Sequence, residues 1–256
     1  MFRLLRAGVF GRQEAVEPMS AWKWARTYEL AMVHGLEAET WAGIKLLQDQ
    51  FFMRLPDDLR QQWEKSAQTA KPAPRKPLPQ RLAKRLDRLE DEADRPADST
   101  VSVMRSMVVL AQSMLTADRW VRQLLSLATL LSAQPLRMDR EQLEEWFEEL
   151  DMERMAHLEC ALLETLMGIE EVRLPLKPTL NEEQRQQEVE KIVTTIEATA
   201  HQWQLSKGSK MFEHDNSSAA MYWQARHSVR YLKYQPKESI NSFFSSFVQS
   251  LTNIEE

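Results

Sequence analysis

The sequence predicts an all-α protein, a multi-helix bundle of about ten helices in one or two subdomains with no substantial sheet. Three observations predict it. Apolar residues recur at three- and four-residue spacing along most of the chain. Only six of 256 residues are glycine, the residue that hairpins, strand bulges and phosphate loops draw on. The helical patterns are separated by proline clusters rather than by hairpin turn pairs.

Taken in order, MFRLLRAGVF reads as a short amphipathic helix. It lacks the continuous apolar core and small-residue cleavage site of a signal peptide. From Ala21, Trp22, Ala25, Tyr28 and Met32 form one stripe, and Gly35 after His34 is a C-cap. A second helix runs from Ala38 to Met53. Pro56 with Asp57 and Asp58 opens a third, because proline at a helix start loses no hydrogen bond and early carboxylates suit the positive end of the dipole. Trp63 is expected to close it.

Lys71 to Pro79 holds four prolines in nine residues. Each fixes φ and removes a backbone donor, so no helix crosses the run. Gln80 to Asp94 follows, with Leu82, Leu86 and Leu89 on a stripe and its charges placed against the dipole, a helix marginal alone. Arg95 to Thr100 is a break with Ser99 or Thr100 as cap. Val101–Leu115, Asp118–Leu131, Asp139–Leu150 and Glu153–Met167 are expected to form the core bundle, the last ending at Gly168. Leu174 to Pro178 is a connector, Asn181 to Gln204 a longer helix, Lys207 to Ser218 a loop, and Ala219 to Tyr234 and Pro236 to Thr252 the final helices. The divisions are 1–66, an N-terminal helical region; 67–100, a Pro-rich and charged linker; 101–176, a central bundle; and 177–256, a C-terminal helical region.

Composition narrows the function. The net charge is −5 with both signs interspersed, which gives no broad electrostatic reason to expect nucleic acid. One cysteine excludes an internal disulfide and fits a reducing compartment. No stretch reaches the roughly 18 apolar residues of a spanning helix, so the expectation is a cytoplasmic protein with no membrane partner.

The candidate reactive residues are sparse. Glu213, His214 and Asp215 are possible metal ligands or catalytic groups, with His227 as the nearest help, but adjacent side chains point apart and a polar triplet is ordinarily solvated. Cys160, with His157 one turn before it, lies on an apolar helix where a buried thiol is the commoner explanation. His34 reads as a helix C-terminal histidine whose charged form the dipole favours. Arg226, Arg230 and Lys233 share a helix face and could contact phosphate, although a basic stripe paired with glutamates is the plainer reading. No residue set calls for a metal or another cofactor.

Several segments carry a family resemblance: FRLLRAGVFGR, WKWARTYELAMVHGLEAETWAGI and LPDDLRQQW, then WVRQLLSLATLL and LLETLMGIEEVRLP, then KGSKMFEHDN and RHSVRYLKYQPKESI. In this order they resemble the helical regions that flank the catalytic core of bacterial nucleotidyltransferase-like proteins. The resemblance implies a mixed sheet with a Gly-Ser turn for nucleotide phosphates and an Asp-x-Asp pair for magnesium. That module is missing. Between Trp63 and Met107, where it belongs, there is no glycine at all. Gly208-Ser209 has no Asp-x-Asp after it and does not replace it.

The resemblance therefore implies a non-catalytic member of the family, a helical binding or interaction scaffold with a protein partner such as an intact paralogue. An enzyme with a non-standard or partner-completed site, and nucleic-acid binding through the basic C-terminal helix, are the alternatives.

Overall fold

The computed structural model describes residues 1–50, 53–70, 77–92, 98–116, 118–133, 138–208 and 229–235. Among them there is no strand, and the chain is an all-α, multi-helix protein. The helices are α1 (Phe2–Phe10), α2 (Ala21–His34), α3 (Glu37–Leu47), α4 (Asp57–Thr69), α5 (Gln80–Glu92), α6 (Asp98–Leu115), α7 (Trp120–Ser132), α8 (Arg140–Glu149), α9 (Glu153–Met167) and α10 (Glu182–Gly208). A 3₁₀ turn, Glu171–Arg173, precedes the connector to α10.

Local chemistry sets the ends. Ser20 Oγ accepts from the Lys23 N–H at 3.3 Å to start α2, and Gly35 ends it in the left-handed region at φ 66°. Asp139 accepts from the Gln142 N–H at 3.1 Å to start α8. At α10, Asn181 Oδ1 accepts from the Gln184 N–H, and the Gln184 side-chain oxygen accepts from the Asn181 N–H, a reciprocal capping box. Pro56 and the two aspartates after it open α4 as the sequence predicts.

The structure corrects several boundaries. The second helix is Glu37–Leu47 rather than 38–53, and α4 continues past Trp63 to Thr69, because nothing in residues 64–69 breaks a helix. Ser99 and Thr100 lie inside α6, which begins at Asp98. Thr100 caps nothing there; its buried hydroxyl accepts from the Asp139 N–H and ties α6 to the start of α8. Helix α10 runs on through Lys207 and Gly208. Of the Ala219–Tyr234 helix, the described part is a helical turn at residues 229–231 followed by a turn at 232–234. Residues 71–76 of the proline run lie outside the described residues; 77–79 are not helical.

The core is wider than the four-helix bundle of residues 101–167. One buried apolar cluster extends from Leu4 of α1 through α9 to Ile196 of α10 and Tyr231. Helix α9 contacts α1, α6, α7, α8 and α10. Trp63 joins α2, α3 and α4: it meets Trp24 edge-on at 6.3 Å and Tyr28 at 5.2 Å, and its indole N–H donates to Thr40 Oγ1 at 3.1 Å. Its polar handle is thus satisfied inside the core.

Helix α5, marginal alone, is held by its neighbours. Leu82, Leu86 and Leu89 are buried. Asp87 and Glu90 pair with Arg105 of α6, and Arg88 pairs with Glu149 of α8. The late carboxylates that oppose the helix dipole, Asp87 and Glu90, therefore face a cation on another helix.

Helices α1 and α3 cross closely. A Cβ on Gly8 would lie 2.1 Å from the Glu39 carbonyl oxygen, and one on Gly43 would lie 2.0 Å from the Leu4 carbonyl oxygen. Backbone meets backbone there, so neither side can yield by a rotamer change. Gly43→Ala is expected to lower unfolding stability by on the order of 3 kcal/mol. Gly11→Ala, with a left-handed φ but open space around it, should cost about 1 kcal/mol. Denaturant unfolding of both variants checks this, and equal costs would show that the crossing is not tight.

Candidate binding cleft

Helix α9 presents Arg154, His157, Leu158, Ala161 and Glu164 at three- and four-residue spacing, which places them on one face. Helix α10 brings Gln184, Arg185 and Glu188 opposite, the connector adds Pro178, Thr179 and Leu180, and Lys233 with Tyr234 closes one side. Together they enclose a cleft of about 510 Å³.

Its rim is ionic. Arg185 pairs with Glu164 at 3.3 Å, bridging α10 to α9. Glu188 accepts from Lys191 at 2.9 Å, from Lys233 and from the Tyr234 hydroxyl. Lys233 also lies 4.5 Å from the centre of the Tyr234 ring. Burial pulls the Glu188 carboxyl upward, but the three hydrogen bonds outweigh it and hold its pKa down to about 2. Burial and the Glu188 carboxylate both push the Tyr234 phenol up, so it stays a donor.

Cys160 sits in this wall with its thiol pushed up to about 12 by burial, which outweighs a hydrogen bond from the Leu176 N–H. It is a protonated packing group at neutral pH rather than a thiolate. His157 Nε2 lies 3.9 Å from Glu153.

The basic stripe of the sequence is divided. Lys233 is paired with Glu188, Arg230 is half-buried, and Arg226 lies outside the described residues. Glu213, His214, Asp215, His227 and Ser209 also lie outside them, whereas Gly208 ends α10. Among the described residues no three His, Cys, Asp or Glu side chains converge on a metal-sized site, and no helix is long and apolar enough to cross a membrane.

Two buried ionisable groups were misread or missed. His34 ends α2 as expected but does not present a charged imidazole to the helix end: it is fully buried against Trp120, ring centres 6.2 Å apart, and neither ring nitrogen has a hydrogen-bond partner. Glu159 of α9 is wholly buried with both oxygens unpartnered, and burial raises its pKa well above the carboxylate range. A glutamate between Leu158 and Cys160 reads in sequence as one polar position on an apolar helix, so only the packing on every side of α9 reveals it.

Comparison with protein-family models, with curated proteins and with solved structures found no match.

Two acid responses follow from these groups. Burial, helped by the Arg119 charge and opposed by Asp118, lowers the His34 pKa to about 4. The unfolded chain, with a histidine near 6.5, takes up a proton that the fold refuses. Stability is therefore full above pH 6.5 and falls between 6.5 and 4, by at most about 3 kcal/mol. His34→Phe should flatten that slope in denaturant melts at pH 7, 5.5 and 4.5; an unchanged slope would assign it to other groups. Glu188 acts lower. Its folded pKa is depressed, so its contribution is present above pH 4.5 and lost as pH falls towards 2. Protection of the amides at residues 229–235 against hydrogen exchange, relative to intrinsic rates at each pH, should fall over that window in the wild type and already be low at pH 6 in Glu188→Gln.

Proposed function

We propose that the chain is a non-catalytic, nucleotidyltransferase-like binding protein, a helical scaffold whose working surface is the cleft between α9 and α10. The cleft carries the reading. Three segments far apart in sequence build it, its volume falls in the range of small-ligand sites, and its floor is apolar beneath a ring of charges. Its cysteine is held as a thiol and its rim carboxylates are committed to ion pairs.

The ordered run of family-like segments, with no glycine between Trp63 and Met107 to make a phosphate-binding turn, supports a member that has kept the helical frame without the catalytic module. A protein partner, for which an intact paralogue is the natural candidate, would supply chemistry that this chain does not.

The test is turnover. The purified chain is incubated with magnesium and each ribonucleoside triphosphate, and released pyrophosphate and phosphate are measured against a buffer blank. No release is expected with any of them. Release above the blank would overturn the reading in favour of an enzyme with a non-standard site, and variants of Glu213, His214, Asp215 and His227 would then be assayed.

A further inference from the structure

We propose that the α9–α10 cleft binds a single-chain anionic amphiphile, a medium-chain carboxylate taken up as a monomer, with Arg154 seating its headgroup. This rests on the cleft being the binding surface and adds the chemistry of its ligand.

The cleft is long as well as roomy. Its α9 wall runs from Arg154 to Glu164, ten residues, or about 15 Å along the axis. Between those ends most of the lining surface is apolar, from Leu158, Cys160 and Ala161 on α9 and Pro178 and Leu180 opposite, with His157, Thr179, Gln184 and Gln187 as the uncharged polar groups among them. Leu180 is 41% exposed, an apolar side chain left in water at the edge of an apolar floor. Those four polar side chains are too few to pair every backbone N–H and C=O of a polypeptide laid along the trough. An aliphatic chain needs no such partners.

The two ends differ in charge. At the Glu164 end, Arg185 is neutralised by that carboxylate. Lys233 is neutralised by Glu188. Arg154, by contrast, has no carboxylate within ion-pair distance among the described residues; its guanidinium donates to the Lys233 carbonyl oxygen at 3.4 Å and is otherwise exposed. It stands in the first turn of α9, where the helix dipole adds to its positive field. One uncompensated cation at one end of an apolar trough is complementary to one anion on an apolar chain. A triphosphate would meet too few free cations, and a cationic amphiphile would be repelled.

The experiment is calorimetric titration of the full chain with decanoate below its micelle concentration, alongside 1-decanol and decyltrimethylammonium as neutral and cationic matches. Decanoate should bind at least about tenfold more tightly than decanol, the gain of one charge-assisted contact, and the ammonium should bind weakest. Arg154→Gln should remove the preference for decanoate and leave decanol binding unchanged. Leu180→Glu should weaken binding of both decanoate and decanol. Both side chains are exposed, so unchanged melting curves confirm intact folds.

Equal affinity for decanoate and decanol, decanoate binding that survives both substitutions, or binding only to vesicles of anionic lipid would overturn the proposal. Absence of binding by all three probes would also overturn it, and would leave the turnover result as the separate measure of the non-catalytic reading.

Discussion

Helix α9 is buried on nearly every side, and the remaining helices are arranged by that constraint. Between Met155 and Met167 ten of its side chains are buried, and they do not keep to one stripe: Leu158, Glu159, Cys160, Ala161, Leu162 and Leu163 are consecutive. A helix covered all round must be surrounded, because a single apolar face needs only one partner. Five other helices contact it. On the cleft side, Arg154, His157 and Glu164 are the α9 side chains left at least partly open, while Leu158, Cys160 and Ala161 belong to the core cluster and form the back of the cleft. Core and cleft therefore share one element, and the packing that buries α9 also sets the back of the cleft.

Charged side chains do a different job in this fold. Burial fixes how far apart helices lie, while ion pairs choose which face meets which. Arg105 against Asp87 and Glu90, Arg88 against Glu149, Arg122 against Glu39 and Arg6 against Glu14 each join positions distant along the chain or across a turn. Arg6 also donates to the Leu166 carbonyl at 2.8 Å and so occupies an acceptor in the last turn of α9. Arg173 does the same for α7 through the Leu131 and Ser132 carbonyls. The exposed ones among them, such as Arg88 with Glu149, add little stability each. Their value lies in orientation, which apolar contact alone leaves loose.

Much of the fold was legible in the sequence because its signals are local. Gly35, Gly168, Asp139 and Pro56 act within one turn of where they stand, and all four mark helix ends as predicted. Failures came where a local signal was absent or was outweighed at a distance. Trp63 was expected to close α4, but residues 64–69 hold no helix breaker and the helix runs on through them to Thr69. Thr100 has a cap's chemistry but spends it on another helix. The cleft was harder still. Glu188 and Lys233 are 45 residues apart, and each alone is an ordinary surface charge. Cys160 and Lys233 were visible as residues, while the role each plays depends on burial and pairing that no spacing encodes.

Glu188 shows how such a site is assembled. Residues 229–235 follow α10 in sequence at a long remove, and what fixes the tail of that segment to α10 is one carboxylate accepting from Lys233 and Tyr234 while Lys191 holds it from behind. Tyr231 is buried and packs 6.4 Å from Tyr234, so the segment has an apolar foot in the core and a polar clasp on the helix. Without the clasp, Lys233 and Tyr234 would not stand at the cleft edge, and the trough would lose one side. A carboxylate that must stay ionised to accept three donors, next to a phenol that must stay protonated to donate, is stable over a wide pH range, since their pKa values are pushed in opposite directions. Mutually reinforcing titrations at the cleft edge thus let distant parts of the chain hold one small concave surface.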